Sequence, residues 1–201
     1  MSEAIVHGII LAFSLILPLG AQNVFVFNVG ARQPSFLKVI PVVITAGLCD
    51  TILILMAVLG VSLIVLSFTW LKTVLLAVGF LFLLYMGWSV WKSAPNGDES
   101  ELSMTIKKQV LFAVSVSLLN PHAILDTVGV IGTNALSYKG NEKLAFAAAT
   151  IAVSWIWFFG LALTGRLIGR IDHSGKWFSY LNKISAILIW SVALFLLTKL
   201  F

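Results

Sequence analysis

Two carboxylates stand inside apolar runs of this chain. Asp50 lies near the middle of the run 39–66, and Asp126 lies in the run 110–136 with His122 one helical turn before it. If these runs lie in a bilayer, each acid costs roughly 2.5–3.5 kcal/mol on insertion scales, so it must face a partner or a water-filled path. There, a carboxylate can bind a cation or take up and release a proton. His122 and Asp126 share a helix face at i and i+4. They read either as an acid–base couple or as an internally satisfied ion pair. Asp50 reads either as the partner of a cationic solute or as the cap of a broken helix. His-x-x-x-Asp also invites a metal, but Cys49 and two acids are too few ligands to complete a site. No metal and no cofactor is expected.

Two prolines interrupt the same kind of run. Pro18 lies in Leu17-Pro18-Leu19-Gly20-Ala21-Gln22-Asn23, and Pro121 lies in Leu119-Asn120-Pro121-His122. Proline removes one N–H and obstructs the carbonyl four residues back. Carbonyls freed at membrane depth need another partner. Gln22, Asn23, Asn120 and His122 are at hand, with Pro18, Gly20 and Pro121 forming the breaks. Freed backbone and side-chain amides together suit an amino acid's carboxylate and ammonium. The bland alternative is that the amides only join helices, at about 0.6 kcal/mol per contact. In Ser154-Trp155-Ile156-Trp157-Phe158-Phe159-Gly160, Trp155 suits a cation–π contact worth about 0.5–2 kcal/mol, or it packs as Trp157 and Phe159 are expected to. Gly87, Gly165 and Gly169, with Gly79, Ala145 and Ala149, read as small residues that let helices approach.

The elements that must position these residues follow from composition. The chain has 201 residues, 60% hydrophobic and 10% charged, with a mean hydropathy of +1.04. Soluble domains carry about 25% charged residues, so this is an integral membrane protein. The runs 4–29, 39–66, 71–91, 110–136, 144–168 and 178–200 each match the roughly 20 residues of helix that a bilayer core requires. They are too long and too evenly apolar for barrel strands. The predicted fold is all-α with six transmembrane helices in a single transporter domain, 1–201. Its halves, about 1–95 and 105–201, each hold three helices. An odd number inverts one half against the other, with helices 1 and 4 broken at corresponding positions, which is the arrangement of a transporter site. Two unrelated proline kinks are the alternative.

Charge sets the orientation. Loops one, three and five hold Arg32, Lys38, Lys92, Lys107, Lys108, Arg166, Arg170, Lys176 and Lys183, whereas the other side holds Lys72, Lys139, Lys143 and Lys199. The positive-inside rule places the first set in the cytoplasm and both termini outside. The net charge of +5 arises in these short loops, with no basic tract of the kind that reads nucleic acid. Cys49 is the only cysteine, so no intrachain disulfide forms. Met1-Ser2-Glu3-Ala4 lacks the basic residues of a cleaved signal peptide.

The motifs resemble the lysine-exporter (LysE) superfamily, most closely its basic amino acid exporters of the lysine and arginine type. Leu17 to Val26 with Asn28-x-Gly30-x-Arg32 is similar to the first-helix motif. Cys49-Asp50 falls where the second helix carries its acid. Leu119-Asn120-Pro121-His122-Ala123-Ile124-Leu125-Asp126-Thr127 is similar to the fourth-helix motif, and Trp157-Phe158-Phe159-Gly160-Leu161-Ala162 echoes the fifth helix. The match spans essentially the whole chain. Ala21 stands where the arginine-exporter pattern has proline, and Gln33 replaces a basic residue, which leaves arginine against lysine open. The resemblance implies a secondary transporter of the bacterial inner membrane, multi-pass and not an enzyme, exporting amino acids. Basic amino acids fit its acids, and proton antiport would balance the charge. The alternatives are export of neutral amino acids or of a metal ion, or an intramembrane enzyme using His122 and Asp126 without a convincing nucleophile. The partners expected are the amino acid, protons and the lipid bilayer; a homo-oligomer is compatible with the sequence, which leaves oligomeric state and stoichiometry open.

Overall fold

The architecture comes from a computed structural model, which describes residues 1–17, 20–60, 69–92, 105–118, 123–124, 127–171 and 176–197. The described residues are helical, with no strand among them. Among the described residues the longer α-helices are α1 Ser2–Ile16, α2 Ala21–Arg32, α3 Ile40–Val58, α4 Thr69–Lys92, α5 Ile106–Leu118, α6 Gly140–Ile171 and α7 Lys176–Leu197. A π-helical segment, Thr127–Gly132, runs into the short turn Thr133–Ala135.

Among the described residues, two stretches, Phe36–Val58 and Gly140–Ile171, are long and apolar enough to cross a membrane. The pair α1 and α2, bent by 79°, makes a third if it counts as one span. Its two ends decide how it runs. The amino group of Met1 meets Glu142 at the start of α6, 2.9 Å away. Just beyond the end of α2, the carbonyls of Gln33 and Pro34 accept hydrogen bonds from Arg166, near the other end of α6. The bent pair therefore runs the whole length of α6 and does not turn back.

α3 is apolar on every side, as a helix surrounded by apolar material must be. Ile44, Leu48, Ile52, Leu55 and Leu59 form one exposed face, while Val42, Val43, Ala46, Ile54 and Val58 are buried on the other. Hydroxyls on exposed faces donate to the carbonyl four residues back: Ser14 to Ile10, Ser115 to Leu111, Thr164 to Gly160 and Ser191 to Ile187. A polar side chain is satisfied in lipid this way without leaving its own helix.

α3 breaks before residue 61, and residues 61–66 of the same apolar run lie outside the described residues. It ends at Val58, and Gly60 follows at φ +80, a left-handed conformation that favours glycine. Hydropathy cannot register that turn, because the residues beyond it are equally apolar.

Close backbone approach seats α2 on α6. A methyl group built on Gly30 would meet the carbonyl of Ala162, one on Gly165 the carbonyl of Phe27, and one on Gly169 that of Ala31. The small-residue expectation for Gly165 and Gly169 is met here, and Gly87 is likewise closed over by the indole of Trp190. At the base of α4 and α7, Lys92 lies 4.7 Å over the Trp88 ring, and Lys183 lies 6.0 Å over the Trp91 ring. Trp and Lys gather in this way at a membrane–water interface.

Candidate functional site

The break in the first helix is built by its own residues. α1 ends at Ile16, Gly20 is extended at φ −71 and ψ 172, and α2 starts at Ala21 with no side-chain cap. Gln22 is therefore a first-turn residue of a new helix. Asn23 donates from Nδ2 to the carbonyl of Ile16 at 2.8 Å, so one expected site amide satisfies the open end of α1. Ala21, Gln22 and Asn23 are all buried, and the positive end of α2 faces inward.

Asp50 sits in the middle of α3, half-buried. Its Oδ1 accepts a hydrogen bond from Gln22 Nε2 at 3.0 Å, and its Oδ2 accepts one from Ser154 Oγ at 2.6 Å. One carboxylate thus ties the start of α2 to the middle of α3 and the middle of α6. Among the described residues no cation forms an ion pair with it. Both of its hydrogen-bond partners are side chains, and neither bond goes to the backbone of a described helix end. Beside it, Trp155 Nε1 donates to Thr51 Oγ1 at 3.1 Å, and Thr51 Oγ1 donates to the carbonyl of Gly47 at 2.6 Å. The Trp155 ring lies so close over Gly47 that a methyl group there would meet it at 2.8 Å. Trp155 is half-buried next to the carboxylate, while Trp157 packs edge-on against Phe13 with centroids 6.4 Å apart.

The structure thus joins Gln22 to Asp50, with Trp155 bonded to the adjacent Thr51 and Asn23 bonded to the carbonyl of Ile16. Pro18, Asn120, Pro121, His122 and Asp126 lie outside the described residues, so their placement adds nothing here. Ser154 and Thr51 are site neighbours that sequence reasoning did not select. The signal for Ser154 is a hydroxyl on the fifth apolar run, directly before a mid-helix tryptophan.

Among the described residues, apolar helices enclose a polar cluster at mid-helix, an arrangement that fits a membrane transporter. The comparisons with known proteins agree. Residues 13–200 match the family of LysE type translocators, and the chain belongs to it. The chain is accordingly a translocator and not an enzyme. It is 57% identical over 192 residues to "Putative amino-acid transporter YisU" of Bacillus subtilis (strain 168), covering 95% of this chain and 87% of that protein. It is 31% identical over 193 residues to the arginine exporter protein ArgO of Escherichia coli (strain K12), covering 94% and 90%. The ArgO of Salmonella paratyphi B is also 31% identical, over 192 residues. No solved structure matches the chain.

Proposed function

We propose that this chain exports cationic amino acids, arginine or lysine, across a bacterial inner membrane. The observation that carries the reading is Asp50: a carboxylate in the middle of a span, held by Gln22 and Ser154 and left without a cationic partner among the described residues. A cationic solute supplies the missing charge. The buried first turn of α2 offers backbone N–H groups to the solute's carboxylate, as half-helix N-termini do in transporters. Trp155 adds an aromatic face beside the acid. His122, Asp126 and Asn120 are assigned to the same site from the fourth-helix motif. The arginine exporters at 31% identity support the cargo. The test is efflux of a panel of radiolabelled amino acids from vesicles carrying the purified protein. Efflux of neutral amino acids with none of arginine or lysine would overturn the cargo.

We read six spans in two inverted halves. In support, α1 and α2 of the first half pack on α6 of the second, and α5 and the π-helical segment of the second half pack on α3 of the first. Met1 and Glu142 mark one side, and Gln33, Pro34 and Arg166 the other. With Lys and Arg weighted to the inside, the second side is cytoplasmic. In a Cys49→Ser background, a cysteine at Gly97 should then resist an impermeant thiol reagent in intact cells, and one at Gly140 should react. The reverse labelling would invert the topology.

Export of a cation from a cell with a negative interior works against about 2.3 kcal/mol per 100 mV. One-for-one exchange with an entering proton cancels the charge moved. If Asp50 holds substrate and proton in turn, external acid should speed efflux by reloading the acid as substrate leaves. Cytoplasmic acid should slow efflux by occupying it first. Efflux at clamped voltage, with pH varied on each side separately, checks this; rates indifferent to both would remove proton exchange.

A further inference from the structure

The hydrogen bonds at the site have a register. Asp50 meets Ser154, and Thr51 meets Trp155, and each pair is separated by 104 residues. The same separation relates the buried faces of α3 and α6 along their length: Val42 to Phe146, Ala46 to Thr150 and Ile54 to Phe158 are all buried. α3 and α6 are thus counterparts in the two halves. Under a two-fold operation a contact between i and j is repeated between their counterparts. A residue touches its own counterpart only where the axis passes between them. Two adjacent residues of α3 do so, one on each flank of the crossing, which places the axis across the helices. A second such point lies between α4 and α7. There Gly87 is closed over by Trp190, at a separation one residue shorter, and the buried pair Met86 and Ile189 shares that separation.

We infer that Asp50 and Ser154 are counterpart positions meeting on a pseudo-two-fold axis in the membrane plane, and that Ser154 is a positioning residue for the carboxylate of a single, shared site. The inference rests on the transport reading for its cargo but not for its geometry. An axis in the membrane plane puts the pair midway between the two faces, where alternating access needs the site to be. It also explains why this pair of positions carries only one acid. A carboxylate on either counterpart occupies nearly the same place, and the other position need only donate a hydrogen bond to it. A serine hydroxyl can do that from either helix.

The test exchanges the two residues. Four full-length proteins are compared: wild type, Asp50→Ser, Ser154→Asp, and the double exchange Asp50→Ser with Ser154→Asp. Ser154→Asp alone sets two like charges at hydrogen-bond distance, away from bulk water, and should lower the melting temperature in detergent by several degrees. The double exchange should return it to the wild-type value, a coupling that independent sites would not show. Arginine efflux should fall at least about thirtyfold in Asp50→Ser and return to within about tenfold of wild type in the exchange. An exchange that melts as low as Ser154→Asp overturns the inference, as does one that is stable but as inactive as Asp50→Ser. If the wild type itself moves no amino acid, the transport reading falls, and the melting temperatures alone decide for or against the axis. Ser154→Ala, which removes the donor without adding charge, should raise the KM for arginine more than it lowers the maximal rate. An unchanged KM would also count against a positioning role.

Discussion

Asp50→Asn is expected to remove nearly all export while the protein still inserts. Asparagine keeps the shape, and its carbonyl can still accept from Gln22 or Ser154, but the charge that partners the cargo is gone. Truncating one partner of a buried, hydrogen-bonded charge pair costs about 2–5 kcal/mol. That is a loss of at least roughly thirtyfold in efflux. The measurement is arginine efflux from vesicles at matched protein content, with abundance and melting temperature recorded beside it. Wild-type rates in Asp50→Asn would remove the acid from the site and leave Gln22 and Ser154 as ordinary helix contacts. Asp126→Asn, assigned from its motif, is expected to reduce export similarly.

The second large effect is structural. α2 carries the start of the site, and it is seated on α6 where Gly30, Gly165 and Gly169 meet backbone carbonyls. A methyl group at any of them has nowhere to go unless the helices separate, because the neighbour is backbone and not the end of a flexible side chain. Overpacking of this kind costs about 1–3 kcal/mol. In a protein of this size each kcal/mol lowers the melting temperature by about 2–4 °C. Gly165→Ala and Gly30→Ala should therefore melt about 2–12 °C lower and lose transport as Gln22 draws away from Asp50. Gly160→Ala, on the same α6 but with nothing within 4 Å of the added group, should behave as wild type. Equal melting of Gly165→Ala and Gly160→Ala would show that α2 does not sit on α6 as described.

The residues divide according to what a linear sequence can register. Asp50 was legible because its charge is out of place in an apolar run. The break before Ala21 was legible because proline and glycine act through local geometry. The glycines at the α2–α6 seat were legible as small residues. What they touch was not, since their partners come from more than a hundred positions away. The run through residue 66 read as one helix, because hydropathy does not respond to the conformation of Gly60. Asn23 read as a binding amide; that it also satisfies the carbonyl of Ile16 was not legible. Ser154 was hardly legible at all. A hydroxyl costs little in an apolar helix, as it can donate to its own backbone, so its presence carries no signal of strain.

The sequence by itself determined that the chain lives in a membrane, that its first helix breaks before Ala21, and that it keeps an acid at depth. Each of these follows from the chemistry of single residues or short runs. Only the tertiary structure decided which donors reach that acid. The exposed and buried faces of α3 and α6 are both rich in apolar residues, so hydropathy does not mark the face that meets a neighbour. The crossing of the two helices selects Ser154, and the turn of α2 out of the break selects Gln22.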